Sequence, residues 1–526
     1  MPVRSRKQQT VKAVQCVPDR GLDLSTAPAA LHENALTRAY NMWYEPNING
    51  LVTRYGLAVT AAPVLPAGIS KLHYHVMADG TAHLLATTCT NTSADALYRL
   101  DESGPTPDWV KILDLETHNG NAPGLLSFDG VLLVADGRNG GLVAWDGATV
   151  NEIEGSPSRP TVVTTIADRV VCNSLDSPDA VFFSEPEQYD KWSVAEGGAA
   201  VIVPAGFGEG MTINAMAALY GYLVVSKVHY DTTGAVTQKR LHMISTTGTP
   251  AEWQGVQLSQ TSAAVALDCM AGVADKVFFF DSDGAQSLSP SSAGAYGDLA
   301  VDPKMGPKIR PMIAGAARKA THGNVQWVRN LGQLWWIVRS GAAATVVLYH
   351  PMQGGGAWTE LHFPVAMRSL CEVGERVYIG GDDGRLYMLS VTGTDWTADG
   401  EKPIYSTLRT KKYEQMGGDV ILKGAKLGLG RILPTNVRIE AVDEAGARYL
   451  VAEMDTAETG SSSQKIYDAH DKIANANWKI SGDSEPVAQY FDVKTNVRRS
   501  ALSLQVRTIG GRIVIDSISG QIALVG

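Results

Sequence analysis

A loose internal repeat constrains this chain more than anything else in it. From residue 65 to residue 400, short apolar runs are closed by Gly- or Asp-rich turns at a period of roughly 40 to 50 residues. Tryptophans mark the period: Trp109, Trp145, Trp192, Trp253, Trp358 and Trp396 each begin or sit in a strand-like stretch, as in AspTrpValLysIleLeu from Asp108. The marker lapses between Trp253 and Trp358, where Trp327, Trp335 and Trp336 all miss the midpoint. Strand pairs fill the periods. GlyValLeuLeuValAla from Gly130 precedes AspGly at 136, LysValPhePhePhe from Lys276 precedes AspSerAspGly at 281, and GluArgValTyrIleGly from Glu375 precedes AspAspGly at 382. AspGly is a tight-hairpin signal. One such unit cannot bury both of its faces, so the array becomes stable by closing into a ring. The expected fold is an all-β β-propeller of about seven blades, with six the alternative.

The chain has 526 residues, 44% of them hydrophobic, which is enough for a large core and for more than one domain. Its 53 glycines and 24 prolines, set beside Val, Ile, Leu and Tyr runs, favour many short strands over long helices. Residues 1–28 are polar, carry Pro18 and Pro28 and lack periodicity, so they read as an extended N-terminal arm. Residues 29–64 read as a helix and the lead-in to the first blade. Leu31, Ala35, Leu36, Ala39, Tyr40 and Trp43 recur at helical spacing over Ala29–Tyr44, and Pro46 supplies the stop. Residues 65–400 form the propeller. Residues 401–526 lose the tryptophan rhythm and carry longer strands, such as AsnValArgIleGluAlaVal from Asn436, ArgIleValIleAspSerIle from Arg512 and AlaLeuSerLeuGlnValArg from Ala501. They read as a β-sandwich-like domain with a mobile loop at Thr459–Ser463.

The net charge of -9 argues against a surface built to grip phosphates, although a like-charged wall would let DNA slide past. Cys16, Cys89, Cys172, Cys269 and Cys371 are single, odd in number and without a CxxC pair, so they read as core residues of a chain made under reducing conditions. Arg4, Arg6 and Lys7 are followed by no apolar run, so the pattern of a secretory signal is missing. The most apolar stretch, Ala215–Val225, contains Gly221 and is too short to span a bilayer.

Few motifs suggest chemistry. His73 and His75 share a face of a probable strand, a geometry open to a metal pair, but no third ligand accompanies them and the reading is a half-exposed strand face. AspSerAspGly at 281–284 starts like a calcium loop and lacks the remaining ligands, so it reads as a hairpin turn, as does AspAspGly at 382–384. GlyPheGlyGluGly from Gly206 and GlyLeuGly from Gly428 lack the context of phosphate cradles and read as turns. No GxSxG elbow is present. The chain has 54 Asp and Glu residues and a glycosidase needs only two of them in a cleft, so a sugar-cleaving propeller stays open as a minor reading. No catalytic residue, cofactor or metal is expected. The basic start, Arg4, Arg6, Lys7 and Lys12, reads as a tail that docks on a neighbouring ring.

AsnMetTrpTyrGluProAsnIleAsnGly from Asn41 to Gly50 runs into LeuValThrArgTyrGlyLeu, ending at Leu57. This resembles the opening of bacteriophage tail propeller proteins, in which an asparagine, a glycine and an Arg-x-Gly element introduce the first blade. Asn41, Gly50, Arg54 and Gly56 match in order. AspArgValValCysAsn from Asp168, ValPhePheSerGluProGluGlnTyrAspLysTrp from Val181 and LeuValValSerLys from Leu223 resemble successive blades of those proteins, with Phe183, Ser184 and Trp192 the most specific. The resemblance spans most of residues 20–395 and includes packaged-DNA stabilisation proteins and tail nozzles of short-tailed phages. It implies a structural, non-enzymatic virion protein made in the host cytoplasm. Its copies would form a ring, commonly a hexamer, that contacts portal, adaptor or other tail proteins, retains the packaged genome and allows its ejection. DNA would pass without specific binding, between subunits rather than through a propeller axis. A glycan- or receptor-binding propeller, or less readily a polysaccharide-cleaving one, is the alternative.

Overall fold

The computed structural model describes residues 10–89, 95–116, 122–203, 210–232, 236–266, 268–290, 299–302, 305–318, 322–340, 343–353, 355–415, 418–456, 466–467, 473–474 and 489–525. Their sheets build the expected propeller. Blade 1 consists of Ile69–Val76, Ala82–Thr88, Ala96–Asp101 and Asp108–Asp114, paired antiparallel in chain order. The same order repeats in blade 2 from Gly124–Phe128 to Val150–Glu152, blade 3 from Val163–Ile166 to Ala199–Ile202, and blade 4 from Thr212–Leu219 to Gly255–Ser259. Blade 5 runs from Met270–Val273 to Leu299–Asp302. Blade 6, from His322–Val328 to Ala357–Leu361, is continuous with a larger sheet. Blade 7 joins Met367–Val373, Arg376–Gly381 and Leu386–Ser390 to a strand from the other end of the chain, Gly56–Val59. Six separate four-stranded sheets and the unit within the larger sheet make seven blades. Their first strands neighbour one another in sequence, and the first strand of blade 7 returns to that of blade 1.

The second strand of each blade lies between partners and is covered on both faces, which is why it reads as a continuous apolar run. ValLeuLeuValAla at 131–135 and PhePhePhe at 278–280 are such runs. A polar residue often ends them and ties down the chain arriving from the preceding blade. Asp136 accepts the Glu116 N–H at 2.9 Å, Asn173 those of Thr161 and Val162 at 2.9 Å, and Asp281 that of Ala263 at 3.0 Å. The tryptophan marker also has a physical basis, because these rings fill gaps between blades. Trp253 of blade 4 packs edge-on against Phe183 of blade 3, with centroids 5.0 Å apart, and Trp145 of blade 2 lies over His75 and His83 of blade 1. Trp396 departs from the pattern, lying half exposed in the separate hairpin Thr394–Thr397/Gly400–Pro403.

The second domain is a sandwich built from both ends of the chain. One sheet contains Met42–Trp43, Leu51–Thr53, Arg512–Val525, Asp419–Leu433 and Gln489–Arg499. The other continues blade 6 through Leu36–Tyr40, Tyr405–Thr410, Ala501–Ile509, Asn436–Asp443 and Arg448–Asp455. Leu408, Val506 and Ile439 of the second sheet meet Leu427, Ile513 and Ile515 of the first, and the same core runs on to Phe278, Phe280 and Trp336 of the propeller. The two parts share a core as well as a chain.

Several expectations change. The helix expected over Ala29–Tyr44 is absent: Leu36–Tyr40 is a strand, parallel to blade 6 at Tyr40 and Glu360 and antiparallel to Tyr405–Thr410. A register shift between Leu36 and Arg38 breaks the alternation, and Asn41 turns the chain with φ 55°, so the buried positions fall at intervals that imitate a helix. The α-helix that does form among the described residues is Arg310–Ala317, inside the gap in the tryptophan marker. Part of the arm is docked, since Thr10–Cys16 pairs along Ile518–Leu524 and buries Val14 and Cys16. Its partner there is its own chain rather than a neighbour. Asp281 and Gly284 close a two-residue hairpin as read, and residues 382–385 form a short turn. Residues 136–142, by contrast, are a longer connection in which Asp136 pairs with Arg138 at 2.7 Å. GlyLeuGly at 428–430 lies inside the strand Asp419–Leu433 at a bulge opposite Ser517 and Ile515, and is no turn. Arg4, Arg6, Lys7, Gly206 and the loop Thr459–Ser463 lie outside the described residues.

Candidate functional site

The four residues of the opening motif converge where the propeller meets the sandwich. Asn41 follows the strand Leu36–Tyr40, and its left-handed backbone is a conformation that asparagine tolerates better than most residues. Its side-chain oxygen accepts from the His362 N–H at 2.7 Å and the Arg54 Nε at 3.2 Å, and its amide donates to the Tyr405 carbonyl at 2.8 Å. Arg54 then forms a two-pronged pair with Asp395, at 2.8 and 2.6 Å, and donates to the carbonyls of Tyr55 and His362 at 2.7 and 2.8 Å. The guanidinium lies 4.2 Å over the Phe363 ring. Asp395 also accepts the Leu57 N–H at 3.0 Å, which holds the start of the closing strand. Gly56 is required there, because a Cβ would collide with the Thr394 carbonyl oxygen. Gly50 stands on the adjoining turn at φ 111°, where a Cβ would come within 2.6 Å of the Ile515 carbonyl oxygen.

A second ion pair repeats this construction alongside. Arg512 bonds Glu45, lies 4.3 Å over Tyr55 and donates to the Thr53 carbonyl at 3.3 Å, while the Trp43 indole donates to Glu45 at 2.7 Å. Both arginines are buried, with side-chain exposures of 1% and 2%. The sequence reading missed Asp395, Glu45 and Arg512. Burial of Arg54 would have demanded a carboxylate, but no spacing rule points to a partner so far along the chain.

The second group of motif residues is separate from the first and belongs to the interior of blade 3. Phe183 is fully buried against Trp253. Ser184 accepts the Val170 N–H at 2.9 Å, and its carbonyl accepts from Arg169 at 2.6 Å. Trp192 is buried and donates to the Tyr189 carbonyl at 2.9 Å.

Around the propeller axis the polar side chains face one another. Lys71, on the first strand of blade 1, reaches Asp268 at the start of blade 5, 2.8 Å away, and the Pro123 carbonyl at 3.2 Å. Blades 1 and 5 are not neighbours in the ring, so this pair crosses the axis. His73 and His75 do share one side of their strand: Nε2 of the first and Nδ1 of the second each lie 2.9 Å from the Ser127 hydroxyl. Burial, followed by the charges of Lys71 and His75, pushes the His73 imidazole down to about 3. Burial, then the charge of His83, also lowers His75. Both are therefore neutral hydrogen-bonding groups at neutral pH. No three His, Cys, Asp or Glu side chains among the described residues are placed to hold a metal. All five cysteines are buried as free thiols, and burial pushes the Cys89 thiol up to about 12.

No family model matches this chain. No curated protein matches its sequence. Solved structures similar to it include virginiamycin B lyase from Staphylococcus aureus, at 11% identity and TM-score 0.41 over 64% of this chain and 99% of that one. BamB from Moraxella catarrhalis is similar at 12% identity and TM-score 0.37 over 72% of this chain and 96% of that one. An exo-β-1,3-galactanase from Phanerochaete chrysosporium is similar at 9% identity and TM-score 0.25 over 67% and 94%. At such scores the likenesses carry no argument about what this protein does; the propeller stands on its own strand order.

Proposed function

We propose that this protein is a structural subunit of a bacteriophage tail, a nozzle or hub component whose copies form a ring around the DNA exit path, retain the packaged genome and allow its ejection. The observation that carries the reading is the placement of Asn41, Arg54 and Gly56, the residues of the tail-propeller resemblance, in one buried junction with Asp395. There they join two β-domains into a single block, which suits a structural role. The Lys71–Asp268 pair supports a second part of the reading, because an axis crossed by side chains favours a DNA path between subunits. The net charge of -9 suits a wall that a polyanion slides along.

The test is the mass of the purified protein in solution, alone and after mixing with portal-assembled capsids, followed by imaging of any complex. Rings of several copies around an open centre, free or on the capsid, are expected. A monomer that ignores capsids would overturn the reading and direct attention to glycan-binding and hydrolysis screens.

A further inference from the structure

The outer face of the sandwich's second sheet carries an arrangement of charge that its own fold does not call for. In register, Arg38 stands directly opposite Arg409, and Arg438 directly opposite Arg507. Like charges facing each other across a sheet destabilise it, so one such pair is a cost and two on one face ask for a reason. Their inward neighbours Ala39, Leu408, Val506 and Ile439 are core residues, which turns all four arginines to the outside. Carboxylates answer only part of the charge. Glu453 meets Arg438 at 2.9 Å, and Glu440 meets Arg507 at 3.3 Å while also accepting from Gln505 at 2.6 Å. Among the described residues Arg38, Arg409 and the exposed Arg448 close no ion pair; Arg38 lies over Tyr40 at 5.0 Å, and its charge acts on Glu360, the register partner of Tyr40, without meeting it. Arg409 donates to Gln505 at 2.7 Å, and burial together with the charges of Arg38 and Arg448 lowers its affinity for its proton.

This face is an exception in a chain whose net charge is -9. Two copies repel each other at long range, so stable association needs a local surface of opposite sign. Acidic surface is presented elsewhere, as on blade 3, where Glu187, Asp190 and Glu196 are exposed within one outward connection beside the exposed Val194, while Glu185 pairs with the single Lys191 there at 3.3 Å. We propose that the sheet face centred on Arg38 and Arg409 docks the acidic surface of a second copy of this chain. Arginine suits the task, since its planar fork binds carboxylates two at a time and keeps its charge. The contact is heterologous, one patch on a different patch, which is the kind that closes rings. It rests on the tail-ring reading and assigns that ring a contact surface.

Arg38→Glu together with Arg448→Glu tests it in the full-length chain. The first change turns a repelling Arg–Arg pair into an attracting Glu–Arg pair while it brings a carboxylate near Glu360, so the two effects offset and the variant should fold with a Tm close to that of the wild type. Sedimentation velocity at low and high salt is the readout. Wild-type protein should self-associate, with at least a tenfold weakening at high salt, and the double variant should be monomeric at concentrations where the wild type is not. If the folded variant forms the same rings as the wild type, the surface assignment is overturned while the ring reading stands. If the wild type is a monomer at every salt and concentration, with or without capsids, the ring reading falls and this proposal with it. A wild type that stays monomeric but retains duplex DNA, with the variant losing it, would overturn the protein partner in favour of phosphate.

Discussion

Arg54 and Asp395 are 341 residues apart in sequence and 2.6 Å apart in the fold, with exposures of 1% and 5%. Burying such a pair weighs desolvation of two charges against their attraction, so the pair as a whole adds little stability while the loss of one partner costs much. Asp395→Ala should therefore destabilise the protein by about 3–5 kcal/mol, measured by denaturant unfolding. Arg54→Met combined with Asp395→Leu should cost clearly less, because no charge is left unanswered. Equal losses in the two variants would show that the junction depends on shape rather than charge. Arg54 itself was legible in the sequence, inside a motif with Asn41 and Gly56. Its carboxylate partner was not, because hydrogen bonding across the closed ring leaves no periodic trace.

At the scale of elements, the strand Gly56–Val59 decides whether the ring is shut. It is the outer strand of blade 7, paired from Gly56 and Ser390 to Val59 and Tyr387, so the blade is made from two distant parts of the chain. Such closure makes an open array of blades cooperative, because no blade retains an unpaired side. Gly56→Ala would force a methyl group into the Thr394 carbonyl, and the strand or the hairpin behind it must give way. The expected cost is about 1–3 kcal/mol, with faster hydrogen exchange concentrated in residues 56–59 and 386–390. Protection unchanged at those residues would mean that the closing strand contributes little to holding the ring. The blade strands were readable because each second strand is buried on both faces. The strand Leu36–Tyr40 was not, because a register shift and a left-handed asparagine gave it the spacing of a helix.

For the whole molecule, the interleaving of the chain's two ends matters most. The strand Thr10–Cys16 and the C-terminal strand Arg512–Val525 lie in one sheet, and that sandwich shares its core with blades 5 and 6. Removing residues 1–16 should strip a seven-residue ladder from Ile518–Leu524 and leave an exposed, apolar sheet edge. The truncated chain is expected to melt at lower temperature and to aggregate, as followed by light scattering during a thermal ramp. A truncated chain as stable and soluble as the full one would mark the arm as an accessory free to dock elsewhere.

By itself the sequence determined that the chain is all-β and that its middle repeats as propeller blades. These features are set by local burial and turn chemistry, which recur at short, regular spacing. Only the tertiary structure decided that the arm is a strand of the last domain, that the final blade borrows its outer strand from the beginning, and that Lys71 crosses the axis to Asp268. It alone paired arginine with arginine on the outer sheet. Each of these joins segments distant in sequence, and such pairings are selected by packing in three dimensions, which no local pattern encodes.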